Sequence, residues 1–204
     1  MTMKVPIPAA ALAAALLALP LAGCVAPVGP VEVTRFHLPE TARLGHGAIA
    51  VEAAPGIDGQ SLEFRSYAAA VARQLVLLGY SEQAPGGPAS PQVAILRLQR
   101  QHILPQRGGS PVSVGLGGST GSYGTHAGVG VGIDLSGPPP EQFATELAVT
   151  IRDRATGQTL WEGRASFTVR ATSPMADTQL GAAKLAEALF AGFPGQSGET
   201  VLVP

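Results

Sequence analysis

The fold class of this chain is decided by the stretch Glu146-Leu-Ala-Val-Thr-Ile-Arg-Asp153, Arg154-Ala-Thr-Gly157 and Gln158-Thr-Leu-Trp-Glu-Gly-Arg-Ala-Ser-Phe-Thr-Val-Arg-Ala171. The first and third segments alternate between apolar and polar residues, as strands with one buried face do. The short segment between them has the composition of a turn. The stretch therefore predicts a β-hairpin. The residues expected on its buried face are Leu147, Val149 and Ile151 in the first strand and Trp161, Gly163, Ala165, Phe167 and Val169 in the second.

Two segments on either side of this hairpin have the 3–4 residue spacing of amphipathic helices. The first runs from Ser61, a suitable N-cap, to Gly79, a natural stop. The second runs from about Pro174 to Ala191, with Ser173 as its cap. The expected buried residues are Phe64, Tyr67, Ala68, Val71, Leu75 and Leu78 in the first helix and Ala182, Leu185, Leu189 and Phe193 in the second.

Further strands are predicted over 31–37, 48–53, 92–100 and 200–203. In the third of these, Val93 and Ile95 are expected to face the core, and Arg97 and Arg100 to lie near water. Strands and helices segregate along the chain more than they alternate. The sequence therefore predicts an α+β fold, with a mainly antiparallel sheet and two helices packed on one face.

A glycine-rich segment, 108–137, holds eleven glycines in thirty residues. Apolar residues alternate with small ones within it, which predicts a second hairpin inserted into the domain. The alternating apolar residues are Val112, Val114 and Leu116, and then Val129, Val131 and Ile133. Glycine weakens strands unless another backbone approaches closely. Two interpretations stay open: a surface on which a partner chain or lipid packs, and a flexible hairpin without a partner.

The first 23 residues have the layout of a secretory signal, with Lys4 followed by an apolar run. The run is short and contains Pro6 and Pro8, which disfavours a membrane span. Leu21-Ala22-Gly23-Cys24 resembles a bacterial lipobox, and this resemblance implies cleavage between Gly23 and Cys24 and lipidation of Cys24. The alternatives are an incidental buried thiol and an uncleaved anchor helix.

Cys24 is the only cysteine of the chain, so no disulfide forms within it. Val25 follows Cys24, and resemblance to the sorting rule of enteric bacteria favours the periplasmic face of the outer membrane. The predicted organisation is a cleaved signal peptide over 1–23, a lipidated tether over 24–30 and a single domain over 31–204. Removing the signal leaves 181 residues, an ordinary length for one domain.

Signatures of catalysis and ligand binding are weak. The formal net charge is −1, and no basic stripe with interleaved aromatic residues is present, which excludes a nucleic-acid binder. Gly117–Gly121 matches the G-x-S-x-G pattern around Ser119, but the nucleophile elbow needs a strand before it and a helix after it, and a glycine loop follows here. The histidines lack the spacing of metal ligands; they are His37, His46, His102 and His126. We therefore predict no catalytic, cofactor-binding or metal-binding residue.

Three segments carry a resemblance to a known family. They are Leu78-Gly79-Tyr80, then Thr156-Gly-Gln-Thr-Leu-Trp-Glu-Gly-Arg-Ala165, and finally Ala188-Leu-Phe-Ala-Gly-Phe-Pro-Gly-Gln-Ser-Gly-Glu-Thr200. Together with the lipobox and the glycine-rich middle, they resemble the bacterial lipoproteins of domain of unknown function family 4136. The resemblance implies an envelope lipoprotein with a compact α+β domain, no established activity and no catalytic residues.

The sequence thus predicts a non-enzymatic lipoprotein of the cell envelope, with the membrane as partner through Cys24 and an envelope protein as a further partner. One alternative is an accessory subunit of an envelope transport or assembly complex. Another is a binder of lipid or a small ligand. A periplasmic hydrolase that uses Ser119 is disfavoured.

Overall fold

The computed structural model describes residues 29–83, 89–105, 112–121, 124–133 and 139–204. The described chain forms nine strands, two α-helices and one 3-10 turn. In chain order these are β1 Val31–His37, β2 Gly47–Ala53, α1 Leu62–Leu77, β3 Tyr80–Glu82, β4 Gln92–Ile103, β5 Val112–Gly121, β6 Gly124–Ile133, β7 Gln142–Asp153, β8 Thr159–Arg170, the 3-10 turn Pro174–Ala176, α2 Thr178–Phe190 and β9 Thr200–Val203.

Seven of these strands form one mixed sheet in the order β3-β2-β4-β7-β8-β1-β9. β2 runs parallel to β3 and β4, and the remaining neighbours pair antiparallel. Parallel neighbours need a long crossover, and α1 lies in the connection from β2 to β3. The fold is therefore α+β. Within 108–137, β5 and β6 pair antiparallel as a separate two-stranded sheet.

The hairpin predicted over 146–171 is confirmed as β7 and β8. Its turn is closed by a bond from the Gly157 amide to the Asp153 carbonyl (2.9 Å) and one from the Thr156 amide to the Asp153 carboxylate (2.8 Å). Gly157 has a φ of +71°, a conformation that glycine adopts without strain. The predicted inward residues of both strands are buried, and Trp161 is fully so.

Helix α1 begins as predicted, because the Phe64 amide donates to the Ser61 hydroxyl (3.2 Å). Ala70 is buried, whereas Ala68 and Leu78 are only partly buried against the core. Gly79, with φ +102°, follows the helix, and a Cβ there would collide with the Gly45 carbonyl oxygen. Only glycine fits this position without a backbone shift.

The prediction of one helix from Pro174 to Ala191 capped by Ser173 is wrong at its start. Ser173 caps the 3-10 turn, and α2 begins only at Thr178. Between them Asp177 is extended, and its carboxylate accepts from the Gln179 amide (2.9 Å), so it is the true N-cap. A second capping side chain interrupts the helix that the apolar spacing favoured. Phe193 lies beyond the helix end.

The predicted inward face of β4 is also wrong. Ala94 and Leu96 are fully buried opposite Ile151 and Val149, whereas Ile95 is only half-buried. Arg100 lies on the same side as Ala94 and Leu96, and only 20% of its side chain is exposed. β4 carries apolar residues on both faces, so alternation alone does not identify its inner one.

The core lies between the helices and one face of the sheet. The helices contact each other, and α2 packs on β8 at Gly181. A Cβ at Gly181 would lie 3.3 Å from Cζ of Phe167 and 3.8 Å from Oη of Tyr67, a residue of α1. β3, which the sequence did not predict, adds the buried Tyr80 at one sheet edge.

Candidate functional site

The two segments that carried the family resemblance meet at the end of the sheet where β8 begins. The indole Nε1 of Trp161 donates to the main-chain carbonyl of Pro194 (2.9 Å). The same ring stacks on Phe190, with ring centroids 5.3 Å apart and an interplanar angle of 16°, and contacts Phe193 at 5.3 Å. This aromatic cluster attaches the segment after α2 to the core.

Arg35 of β1 crosses beneath the same segment. Its Nε and Nη2 donate to the carbonyls of Leu189 and Ala188, both at 2.9 Å. These carbonyls belong to the last turn of α2, where the helix dipole favours a cation. Burial lowers the pKa of Arg35, and the charge of Glu199 opposes this shift. A Cβ at Gly195 would lie 2.9 Å from Cδ of Arg35, so the turn there depends on glycine.

His37 and Ser197 complete this arrangement through the main chain. The His37 ring is 2.7 Å from the Leu38 carbonyl at Nδ1 and 3.1 Å from the Gly195 carbonyl at Nε2. The Ser197 hydroxyl accepts from the His37 amide (3.1 Å) and donates to the His37 carbonyl (3.3 Å). Ser197 therefore contacts the backbone of His37 and not its ring, which differs from a nucleophile–base pair.

A second polar cluster surrounds Arg100 and was missed by the sequence analysis. Its Nη1 donates to the Glu63 carboxylate (3.1 Å) and the Thr178 hydroxyl (3.0 Å), and its Nη2 donates to the Ala176 carbonyl (2.5 Å). The guanidinium lies 4.5 Å from the ring centroid of Phe143, a cation–π distance. Arg100 thus connects β4 to the first turns of both helices. No local signal marks such a role, because its partners are distant in sequence.

An open cleft of about 1060 Å³ runs along the outer side of α1. The edge strands β2 and β3 form its other wall. Arg65 and Arg73 line the helix side, and Glu82 lines the strand side. Such a surface can accept a peptide or a protein loop.

The sequence-predicted site residues Gly23 and Cys24 lie outside the described residues. Ser119 lies inside β5, and the next described element is another strand, so the strand-turn-helix of a nucleophile elbow is not formed there. Within the described ranges no three His, Cys, Asp or Glu residues come together as a metal site. His46 contacts the Leu44 carbonyl, and His102 contacts Glu141.

The model of a family described as a domain of unknown function, DUF4136, matches residues 40–195. The chain belongs to this family. The DUF4136 match begins after β1 and ends before β9, so it leaves out two strands that pair with each other at one edge of the sheet.

An uncharacterized protein of Zymomonas mobilis subsp. mobilis is similar to this DUF4136 chain. It is 26% identical over a 213-residue alignment that covers 84% of this chain and 79% of that protein. Among solved structures, a PDZ domain protein from Parabacteroides distasonis matches with a TM-score of 0.47 and 10% identity over 86% of this chain. This chain spans 39% of that protein's length.

The PelC dodecamer from Paraburkholderia phytofirmans is a further structural match. Its TM-score is 0.38 with 13% identity, and the match covers 78% of this chain and 96% of PelC. Neither helix in the described part of the DUF4136 chain has the length and apolar content of a bilayer-spanning helix.

Proposed function

We propose that this DUF4136 protein is a non-enzymatic lipoprotein of the cell envelope, held on the membrane by acyl chains on Cys24. The observation that carries the proposal is the sequence Leu21-Ala22-Gly23-Cys24, which places the only cysteine of the chain where a lipobox requires it. Two or more acyl chains anchor a protein stably, since each buried CH₂ contributes about 0.8 kcal/mol.

The length of the tether supports this proposal. Seven residues, 24–30, separate the lipidation site from the start of β1, and at about 3.3–3.6 Å per residue they reach at most about 25 Å. Val31 and Val33 are fully buried, so the folded domain begins directly after the tether. An acylated Cys24 keeps the domain close to the bilayer. Val25 after Cys24 favours the periplasmic face of the outer membrane.

The contacts of the C-terminal segment support a structural or interaction role. Arg35, His37 and Ser197 direct their polar atoms at main-chain groups, which fixes the segment and leaves no side-chain nucleophile beside a base. We infer that the antiparallel strands β4, β7, β8 and β1 act as a mainly antiparallel platform from which the glycine-rich hairpin of 108–137 extends.

The anchoring proposal is tested with the full chain in a Gram-negative host. Wild type is expected to incorporate an alkyne-labelled fatty acid and to sediment with outer membranes. Cys24→Ser is expected to lose both properties. Ser119→Ala is the matched control and should behave as wild type in both assays. Membrane retention and labelling of Cys24→Ser at the wild-type level would overturn the proposal.

The cleft along α1 favours one alternative, an accessory subunit of an envelope transport or assembly complex. A photo-crosslinking residue at position 73, inside the cleft, is expected to trap an envelope protein in intact cells. The same residue at position 97, on the outer face of β4, is the control. Equal products at both positions would reject a specific partner there, and a co-purifying lipid seen by native mass spectrometry would favour a ligand binder.

A further inference from the structure

The strand register places the tether at the same end of the sheet as the end of β4. Across the sheet, Glu32 is opposite Ser166, Ser166 is opposite Glu146, and Glu146 is opposite Gln99. The chain before Val31 therefore heads towards the level of Ile103. Neighbouring strands are about 4.8 Å apart, so β1 and β4 are separated by about 14 Å.

Four exposed apolar side chains gather at this end, and we call them the tether-end patch. They are Leu62 (79% exposed), Ile103 (44%), Leu104 (61%) and Leu180 (48%). Arg100 shows that they belong to one end of the domain. Its contacts are Glu63, next to Leu62, and Thr178, two residues before Leu180. Exposed large apolar residues that cluster are typical of a contact surface.

Charged groups around the patch are paired. Arg100 and Glu63 form an ion pair at 3.1 Å, and His102 lies 3.2 Å from the Glu141 carboxylate. His102 also stacks on Phe143 with ring centroids 4.7 Å apart. Paired charges resist transfer towards an apolar phase less than isolated charges do.

The glycine-rich hairpin is connected to the same end, because β4 ends and β7 begins there. The register of β5 and β6 pairs apolar positions with one another: Val112 with Ile133, Val114 with Val131 and Leu116 with Val129. The stretch 108–133 contains no Asp, Glu, Lys or Arg. An uncharged segment at this end suits an apolar surface.

We infer that the tether-end patch rests on the lipid surface and fixes the orientation of the domain, with the sheet end at β1 turned to the bilayer. This inference depends on the proposed anchoring through Cys24. A tether of at most about 25 Å holds this end against the membrane, so lipid is the partner that the patch meets first. The C-terminal segment around Trp161 and Pro194 lies at the opposite end and faces away from the lipid.

The test uses the acylated full chain in phospholipid vesicles, where acylation leaves no free thiol. Leu104→Cys and Leu180→Cys each receive an environment-sensitive fluorophore. Leu77→Cys is the matched control, since Leu77 is 78% exposed at the other end of α1. Fifteen residues separate Leu62 and Leu77, which is about 22 Å along a helix. All three sites are exposed, and circular dichroism verifies that each variant is folded.

Probes at 104 and 180 are expected to show blue-shifted emission and quenching by nitroxide lipids, whereas the probe at 77 is quenched by aqueous iodide. Iodide quenching at 104 and 180 equal to that at 77 would overturn the inference while anchoring stands. Shielding of 104 and 180 from both quenchers would also overturn it, because protein would then cover the patch. Failure of the chain to be acylated at Cys24 in cells would overturn anchoring and orientation together.

Discussion

The indole nitrogen of Trp161 donates a hydrogen bond to the carbonyl of Pro194, 33 residues further along the chain (2.9 Å). This bond joins the Trp-Glu-Gly-Arg strand to the Phe-Pro-Gly segment. The two segments most specific to the family are therefore one structural unit. Its contacts can be tested through stability.

Trp161→Phe is expected to lower the free energy of unfolding by about 1–3 kcal/mol, because the Pro194 carbonyl loses its donor and part of the ring volume is removed. Urea unfolding followed by circular dichroism measures this. Phe36→Leu is the control on neighbouring β1, where Phe36 is 46% exposed, and it should change stability by less than about 0.5 kcal/mol. Equal effects of the two changes would contradict the assigned role of Trp161.

Gly163→Ala is expected to destabilise the fold by about 1–3 kcal/mol through overpacking. An added Cβ would collide with Cη2 of Trp161 and lie 2.8 Å from its Cζ2 and 2.9 Å from Cδ1 of Leu189. Gly29→Ala has open space around it and should be neutral. In a Trp161→Phe background the cost should shrink, because the colliding atoms are gone. Strict additivity in this double-mutant cycle would argue against the collision.

Arg35→Lys is expected to cost about 1–3 kcal/mol, although it keeps the charge. A lysine cannot donate to both α2 carbonyls with the fixed fork of a guanidinium. Thermal unfolding compares this variant with Arg164→Lys, a change on the exposed outer face of β8 that should be nearly neutral. A neutral Arg35→Lys would show that charge alone is sufficient at the end of α2.

Arg100→Met is expected to lower stability by about 1–3 kcal/mol, since Glu63, Thr178 and the Ala176 carbonyl all lose their donor. The matched control is Arg97→Met on the exposed face of the same strand, with a change below about 0.5 kcal/mol. Hydrogen exchange should also rise in the first turns of both helices in Arg100→Met alone. Unchanged exchange there would argue that the helices are held by the apolar core only.

Stability is expected to fall at alkaline pH. Burial raises the pKa of Tyr67 and of Tyr80 above the ordinary value of 10.0. A raised folded-state pKa means that the folded chain binds the proton more tightly than the unfolded one. The resulting stabilisation is complete below pH 10 and is lost as the pH rises through the folded-state values. Melting temperatures measured from pH 8 upwards should decline less steeply in Tyr67→Phe, and an unchanged slope would contradict the assignment to Tyr67.

Local pattern was sufficient for part of the fold. The β7–β8 hairpin, its turn at Asp153–Gly157, the buried stripe of α1 and the last strand all follow from residues close in sequence. Period-two alternation and capping are local properties, so they are readable without the rest of the chain. The start of α2 was misjudged because two capping residues, Ser173 and Asp177, follow one another closely.

The candidate sites were less accessible to sequence reasoning. Trp161 was predicted as a core residue, but its bond to Pro194 joins residues 33 positions apart. Arg100 was placed near water because it is charged, and it lies instead against Phe143 and both helix starts. The partners of such side chains are set by strand order, which one sequence does not display.

By itself the sequence determined the element types, the turn chemistry, the family resemblance and the position of Cys24 as the only thiol, because these depend on residue identity and short spacing. Only the tertiary structure decided which face of β4 is buried and that β2 lies parallel to β4. It also brought the tether, the end of β4 and the starts of both helices to one end of the sheet. Strand register and helix packing settle these features, because they depend on contacts between segments that are far apart in the chain.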